Sequence, residues 1–215
     1  MPPKKEGYIF LIAILIIAFI VSLVSFVSIE SNPHLLSIRL FALNGFISLS
    51  IAAILTPFLK EVKNAFNRSF KAIHHSFAAI GITLITLHPI SVVLREMNLS
   101  LFVPNFQSFD LFWYYAGSQA LIIIYIAFAS AFIRRSLPKY WRIIHAFMYI
   151  ALFFVIIHAN LLGGDFQNPI ISTTLNLLFI TLLVAFGLKR YKQIKQNRMI
   201  KRIKEQQNKK QQTNQ

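Results

Sequence analysis

Apolar residues run through this chain in six long blocks separated by short polar connections. The blocks lie near 8–29, 40–59, 72–94, 113–133, 141–162 and 170–188. Each is long enough to cross a hydrocarbon core as a helix, which takes about 20 residues. The fold class expected is therefore all-α, a polytopic membrane bundle of six transmembrane helices. Residues 1–7 form an N-terminal segment, 8–188 the bundle and 189–215 a basic tail. Prolines fall mainly at block ends: Pro33 and Pro138 in connections, Pro57 closing the second block and Pro169 opening the sixth. Pro89 alone interrupts a block, where it removes a backbone hydrogen bond and is expected to kink the third helix.

Charge orients the bundle. Of the 22 basic residues, all except Arg39 and Arg95 fall in the N-terminal segment, the second connection, the fourth connection with Arg142 at its edge, or the tail. Lys and Arg are retained on the cytoplasmic side, so both termini are expected there. A net charge of +15 is thereby explained by topology and calls for no nucleic acid. The seven acidic residues all lie in connections or tails, which argues against proton pumps and ion-coupled transporters with carboxylate relays. The first block is too long for a signal-peptide core and no A-x-A-like site follows it, so a retained anchor is expected.

The 56% hydrophobic content and 13% charged content agree with a membrane protein. Cysteine is absent, which removes disulfides, thiolate metal sites, iron–sulfur clusters and c-type haem attachment. The outer connection from Arg95 to Phe112 mixes aromatic and polar residues and is expected along the outer surface, as a lid or as an interfacial anchor. It carries one sequon, Asn98-Leu99-Ser100. The tail is expected to prolong the sixth helix and then fray, its charge suiting an anionic membrane surface or an acidic partner. It is too short for a nucleotide-binding domain, and the chain has no G-x-G-x-x-G, so no FAD or NAD(P) site is expected.

The candidate chemistry is histidine. The third block holds His74, His75 and His88; the fifth holds His145 and His158. Ionisable groups at membrane depth are costly and mark function by default. His74 to His88 spans about 21 Å of helix, and His145 to His158 about 19.5 Å. Either distance puts one histidine near each face of a core about 30 Å thick. Two such helices can hold two stacked haems, each iron gripped by one imidazole from either helix. Fourteen residues return to within about 40° of the same face, whereas thirteen leave His158 about 140° from His145 in an ideal helix. The fifth helix must therefore tilt, wind differently or use distinct rotamers. His75 is a possible substitute for His74. Gly81, midway between His74 and His88, offers close approach to a macrocycle or close helix packing. Phe153 and Phe154 can fill the space between haems, though aromatic filler more often simply packs. Arg68, Lys71 and Arg142 can pair with propionates. His34 is placed in a connection with no role.

At these residues the chain resembles the ferric-reductase-like transmembrane domain family. That family includes the membrane halves of ferric reductases and NADPH oxidases, and the haem-binding subunit of periplasmic methionine sulfoxide reductase. The resemblance covers roughly Ala42 to Leu188. It rests on Thr56-Pro57 before a basic connection, on His88, and on Trp141-Arg142-x-x-His145 with Tyr149 and His158. His74-His75 stands where the sulfoxide reductase subunit has Arg-Arg and Leu-Gly, so the spacings look more like the four-histidine oxidases and ferric reductases. The resemblance implies an electron-transfer subunit of an oxidoreductase with two b-type haems. His74 and His145 would ligate the inner iron, His88 and His158 the outer one. The donor would be a cytosolic flavoprotein or a membrane quinol; the acceptor would be an outer-side protein, ferric ion or oxygen. The competing readings are a metal permease whose histidines bind zinc or copper, and a structural membrane subunit without cofactor.

Overall fold

The computed structural model describes residues 2–28 and 32–213, with side-chain surroundings described as far as Gln207. The described residues form eight α-helices, three 3₁₀ turns and no strand. The helices are α1 (Lys5–Val27), α2 (Pro33–Ile54), α3 (Leu59–Phe66), α4 (Phe70–Glu96), α5 (Phe109–Tyr114), α6 (Ala116–Ser130), α7 (Trp141–Leu162) and α8 (Pro169–Thr213). Five of these, α1, α2, α4, α7 and α8, are long and apolar enough to cross a membrane. The fourth expected block is broken at Tyr115 into α5 and the 15-residue α6. By itself α6 rises only about 22 Å, short of a core about 30 Å thick.

Local chemistry explains the boundaries. Asn32 accepts hydrogen bonds from the N–H groups of His34 and Leu35 and Pro33 occupies the first turn, so α2 starts earlier than the apolar pattern suggests. Pro33 and His34, expected in a connection, open that helix. Asn caps and a first-turn Pro both suit a helix start. Ile29 and Glu30, the end of the first expected span and its following acid, lie outside the described residues. The basic second connection contains a helix that was not expected, α3, whose Val62 and Phe66 are buried. Phe66 meets Phe10 edge-on at 6.0 Å. Gly7 permits this closeness, because a Cβ there would lie 2.5 Å from the Ala65 carbonyl oxygen. The tail, expected to fray, continues as helix to Thr213. Its Lys, Arg, Gln and Glu residues are good helix formers.

The packing centres on α2. Over its most apolar stretch 56% of residues are buried, against 17% in α4 and in α7. Glycines bring α2 and α4 together: a Cβ on Gly45 would lie 2.8 Å from Ile85, and one on Gly81 2.7 Å from Leu49. In the same way α6 runs along α7, while α4 and α7 barely touch. The fold is thus two packed helix pairs, α2–α4 and α6–α7, facing each other across a slot. The basic segments gather at one end of it. There the Lys4 N–H donates to Ala65 at 2.7 Å and Lys192 donates to the Pro57 carbonyl at 3.0 Å. At the opposite end Arg39 and Asp165 form an ion pair of 3.2 Å.

Candidate functional site

The slot brings His74 of α4 and His145 of α7 together at the basic end, with ring centres 6.2 Å apart and planes inclined at 69°. That separation is informative. Imidazoles on opposite sides of one metal ion have centres about 6.3 Å apart and tetrahedral ones about 5.1 Å, taking a metal–nitrogen bond near 2.0 Å and ring C–N bonds near 1.33 Å. The observed distance suits the linear arrangement. Phe70 stacks on His74 at 5.4 Å and Trp141 lies 6.1 Å from His145, restricting both rings.

Each imidazole is also fixed from behind. Nδ1 of His74 lies 2.9 Å from the Ala52 carbonyl oxygen, and Nδ1 of His145 lies 2.9 Å from that of Ala127. Nδ1 of His88 lies 3.0 Å from the Ile38 oxygen, and Nδ1 of His158 lies 3.2 Å from that of Tyr114. A carbonyl only accepts, so Nδ1 must donate in all four neutral rings, leaving the Nε2 lone pair free. Metal-bound histidines use this arrangement almost universally, because a donor bond from the other nitrogen fixes tautomer and orientation. His75 is exposed, and among the described residues no hydrogen-bond partner meets its ring or that of His34.

The acceptors come largely from helix ends. In a regular α-helix the Ala52, Tyr114 and Ala127 carbonyls would be taken by the N–H groups of Thr56, Ser118 and Ala131. Instead these N–H groups bond one residue later, to Ala53, Tyr115 and Phe128. The chain turns tighter at each place and releases a carbonyl. Thr56-Pro57 belongs to this device. Proline has no N–H to offer Ala53, whose oxygen takes the Thr56 N–H, while the Thr56 hydroxyl meets Tyr149 Oη at 3.1 Å.

The acceptors also keep the histidines' register. Ala52 and Ile38 are as far apart on α2 as His74 and His88 are on α4; Ala127 and Tyr114 match His145 and His158 likewise. The rotation expected between His145 and His158 is not absorbed by a fault in α7, which is helical throughout. The irregularity lies in its neighbour, at the Tyr115 break between α5 and α6.

Beside the inner pair opens a cavity lined on one side by Leu49, Ala52, Ala53, Thr56, His74, Ala78 and Ile82. Phe128, Arg142, His145, Ala146, Met148, Tyr149 and Lys189 line the other side. Its alanines leave room between the helices, and Arg142 and Lys189 place positive charge at its basic end. Arg68 and Lys71 are exposed and do not line it. Gly81 packs closely on α2, where a Cβ would lie 2.7 Å from Leu49, itself a residue of the cavity lining. Phe154 stacks on Trp113 at 5.4 Å and Phe153 meets Trp113 and Phe179. These phenylalanines join an aromatic cluster with the outer connection.

Two contributors had no distinctive sequence signal. Lys189 reads as the first residue of a basic tail. Gly117 lies against His158: a Cβ would be 2.9 Å from Nε2 and 3.1 Å from both adjacent ring carbons. Such nearly equal distances put the Cβ over the ring face, so Gly117 makes room for the imidazole without standing before its lone pair.

No family model, curated protein or solved structure matches this chain.

Proposed function

We propose that the chain is a six-span b-type haem protein of the ferric-reductase-like kind, conducting electrons from a cytoplasmic-side donor to an outer-side acceptor. The carrying observation is the set of four imidazoles whose Nδ1 groups are held by carbonyls and whose Nε2 lone pairs are left free. His74 and His145 would hold the inner haem iron, His88 and His158 the outer. A b-type haem held by two imidazoles has no open position and supplies one-electron transfer. The residues do the rest. The α2 and α5–α6 carbonyls orient the rings, the alanines make room for the macrocycle, and Arg142 and Lys189 offer counter-charge to inner propionates.

In this reading α5 and α6 together make the fourth of six crossings, and the basic end faces the cytoplasm of a plasma membrane. The donor is a cytosolic flavoprotein or a quinol, and the acceptor an outer-side protein, ferric ion or oxygen. A zinc permease is less well supported, because the inner pair suits a linear arrangement and zinc takes tetrahedral sites. Further, among the described residues no three His, Cys, Asp or Glu side chains gather as a metal site, whereas structural zinc usually takes four protein ligands. A haem needs only two.

The test is a reduced-minus-oxidised visible spectrum of the purified protein with pyridine haemochrome quantitation. Two b-type haems per chain are expected, with loss of signal in His88→Ala and His158→Ala. Protein without haem bands, or with bands indifferent to those substitutions, would overturn the reading.

A further inference from the structure

We infer that the Arg39–Asp165 ion pair is a positioning device for the outer haem site, tying the backbone that orients His88 to the end of the helix that carries His158. The inference rests on the haem reading above. Asp165 is only 5% exposed and sits in the 3₁₀ turn Gly164–Gln167 that follows α7. Its Oδ1 accepts from Arg39 Nη1 at 3.2 Å and from Ser25 Oγ at 2.8 Å. Arg39 directly follows Ile38, whose carbonyl takes the Nδ1–H of His88. One carboxylate oxygen thereby joins α1, α2 and the turn after α7.

Such a tie is needed because α4 and α7 barely touch. The gap between imidazoles on opposite sides of the slot is set by what joins the two helix pairs. At the inner site Thr56 and Tyr149 provide that link, from the end of α2 to the face of α7. Arg39 and Asp165 link the same two parts at the outer site. Gly164 is shaped for it, since a Cβ there would lie 2.9 Å from Arg39 Nη2. A buried ion pair is poor value as a source of stability alone, since well-packed apolar residues often do as well. Its use here is to hold α2 and the end of α7 at one spacing.

The test uses the full chain, with haem content and electron paramagnetic resonance as readouts; the signal lost in His158→Ala marks the outer haem. Asp165→Asn is expected to weaken outer-haem retention about 10- to 100-fold, the range for lost supporting partners of metal ligands, while the inner signal stays. Asp165→Asn strands Arg39 and can impair assembly, so R39M/D165L, which leaves neither an unpaired buried charge nor a hydrogen bond across the pair, decides the matter. It is expected to assemble at wild-type yield and still release its outer haem. An outer haem held as tightly as in the wild type would overturn the positioning role, as would equal disturbance of both haems. Haem-free wild-type protein would instead overturn the proposed function, and this inference with it.

Discussion

The rings of His74 and His145 face each other across the α4–α7 slot with centres 6.2 Å apart and planes 69° from parallel. Nearly crossed imidazole planes leave the two iron d-orbitals that overlap them almost equal in energy, so orbital angular momentum survives. Under the proposed haem function, the inner ferric haem should therefore give a strongly anisotropic low-spin resonance with a large maximum g value. A rhombic spectrum typical of parallel planes, at the signal abolished by His145→Ala, would contradict the observed ring geometry.

His74 and His75 are separable by experiment. His74 has a carbonyl behind it and His145 in front, whereas His75 is exposed. His74→Ala should cost the chain its inner haem; His75→Ala should leave haem content unchanged. Pyridine haemochrome measurement on the two variants checks this, and the opposite result would transfer the ligand role to His75.

Gly117 gives a steric test of the outer site. A methyl group over the His158 ring has 2.9 Å where ordinary contact needs more. Gly117→Ala should displace the ring and weaken outer-haem retention by about tenfold or more, as loss of ligand support does elsewhere. Haem titration of the apoprotein measures it, and unchanged outer-site affinity would show that the ring does not rest on this glycine.

Thr56 and Tyr149 form a coupled pair, with oxygens 3.1 Å apart. Thr56→Val and Tyr149→Phe should each cost about 0.5–1.5 kcal/mol, the net worth of one hydrogen bond. The double variant should cost little more than Tyr149→Phe alone, which also removes a 3.5 Å bond to the Ala53 carbonyl. Thermal unfolding in detergent reads this directly; simple additivity would mean that the hydroxyls act independently.

Much of this protein was legible from its residues. Apolar length marked five helices long and apolar enough to cross a membrane, and α7 occupies the very residues expected, 141–162, because a predominantly apolar run between Tyr140 and Gly163 leaves few choices. The candidate histidines stood out for an equally simple reason: an imidazole in an apolar run is expensive. What the tertiary structure alone decided concerns partners. The acceptors of the four imidazoles are backbone carbonyls, which every residue has, so Ala52, Ala127, Ile38 and Tyr114 carry no sign of their role. Gly81 was legible as a place of close approach, but only the tertiary structure names Leu49 of α2 as the side chain that approaches it. The break at Tyr115 was hidden inside a continuous apolar block, where composition carries no information about which N–H meets which carbonyl. Apolar length and the cost of a buried imidazole are properties of single segments; the spacing between helices, and hence the placing of His74 opposite His145 with His75 left exposed, arises only when two segments meet.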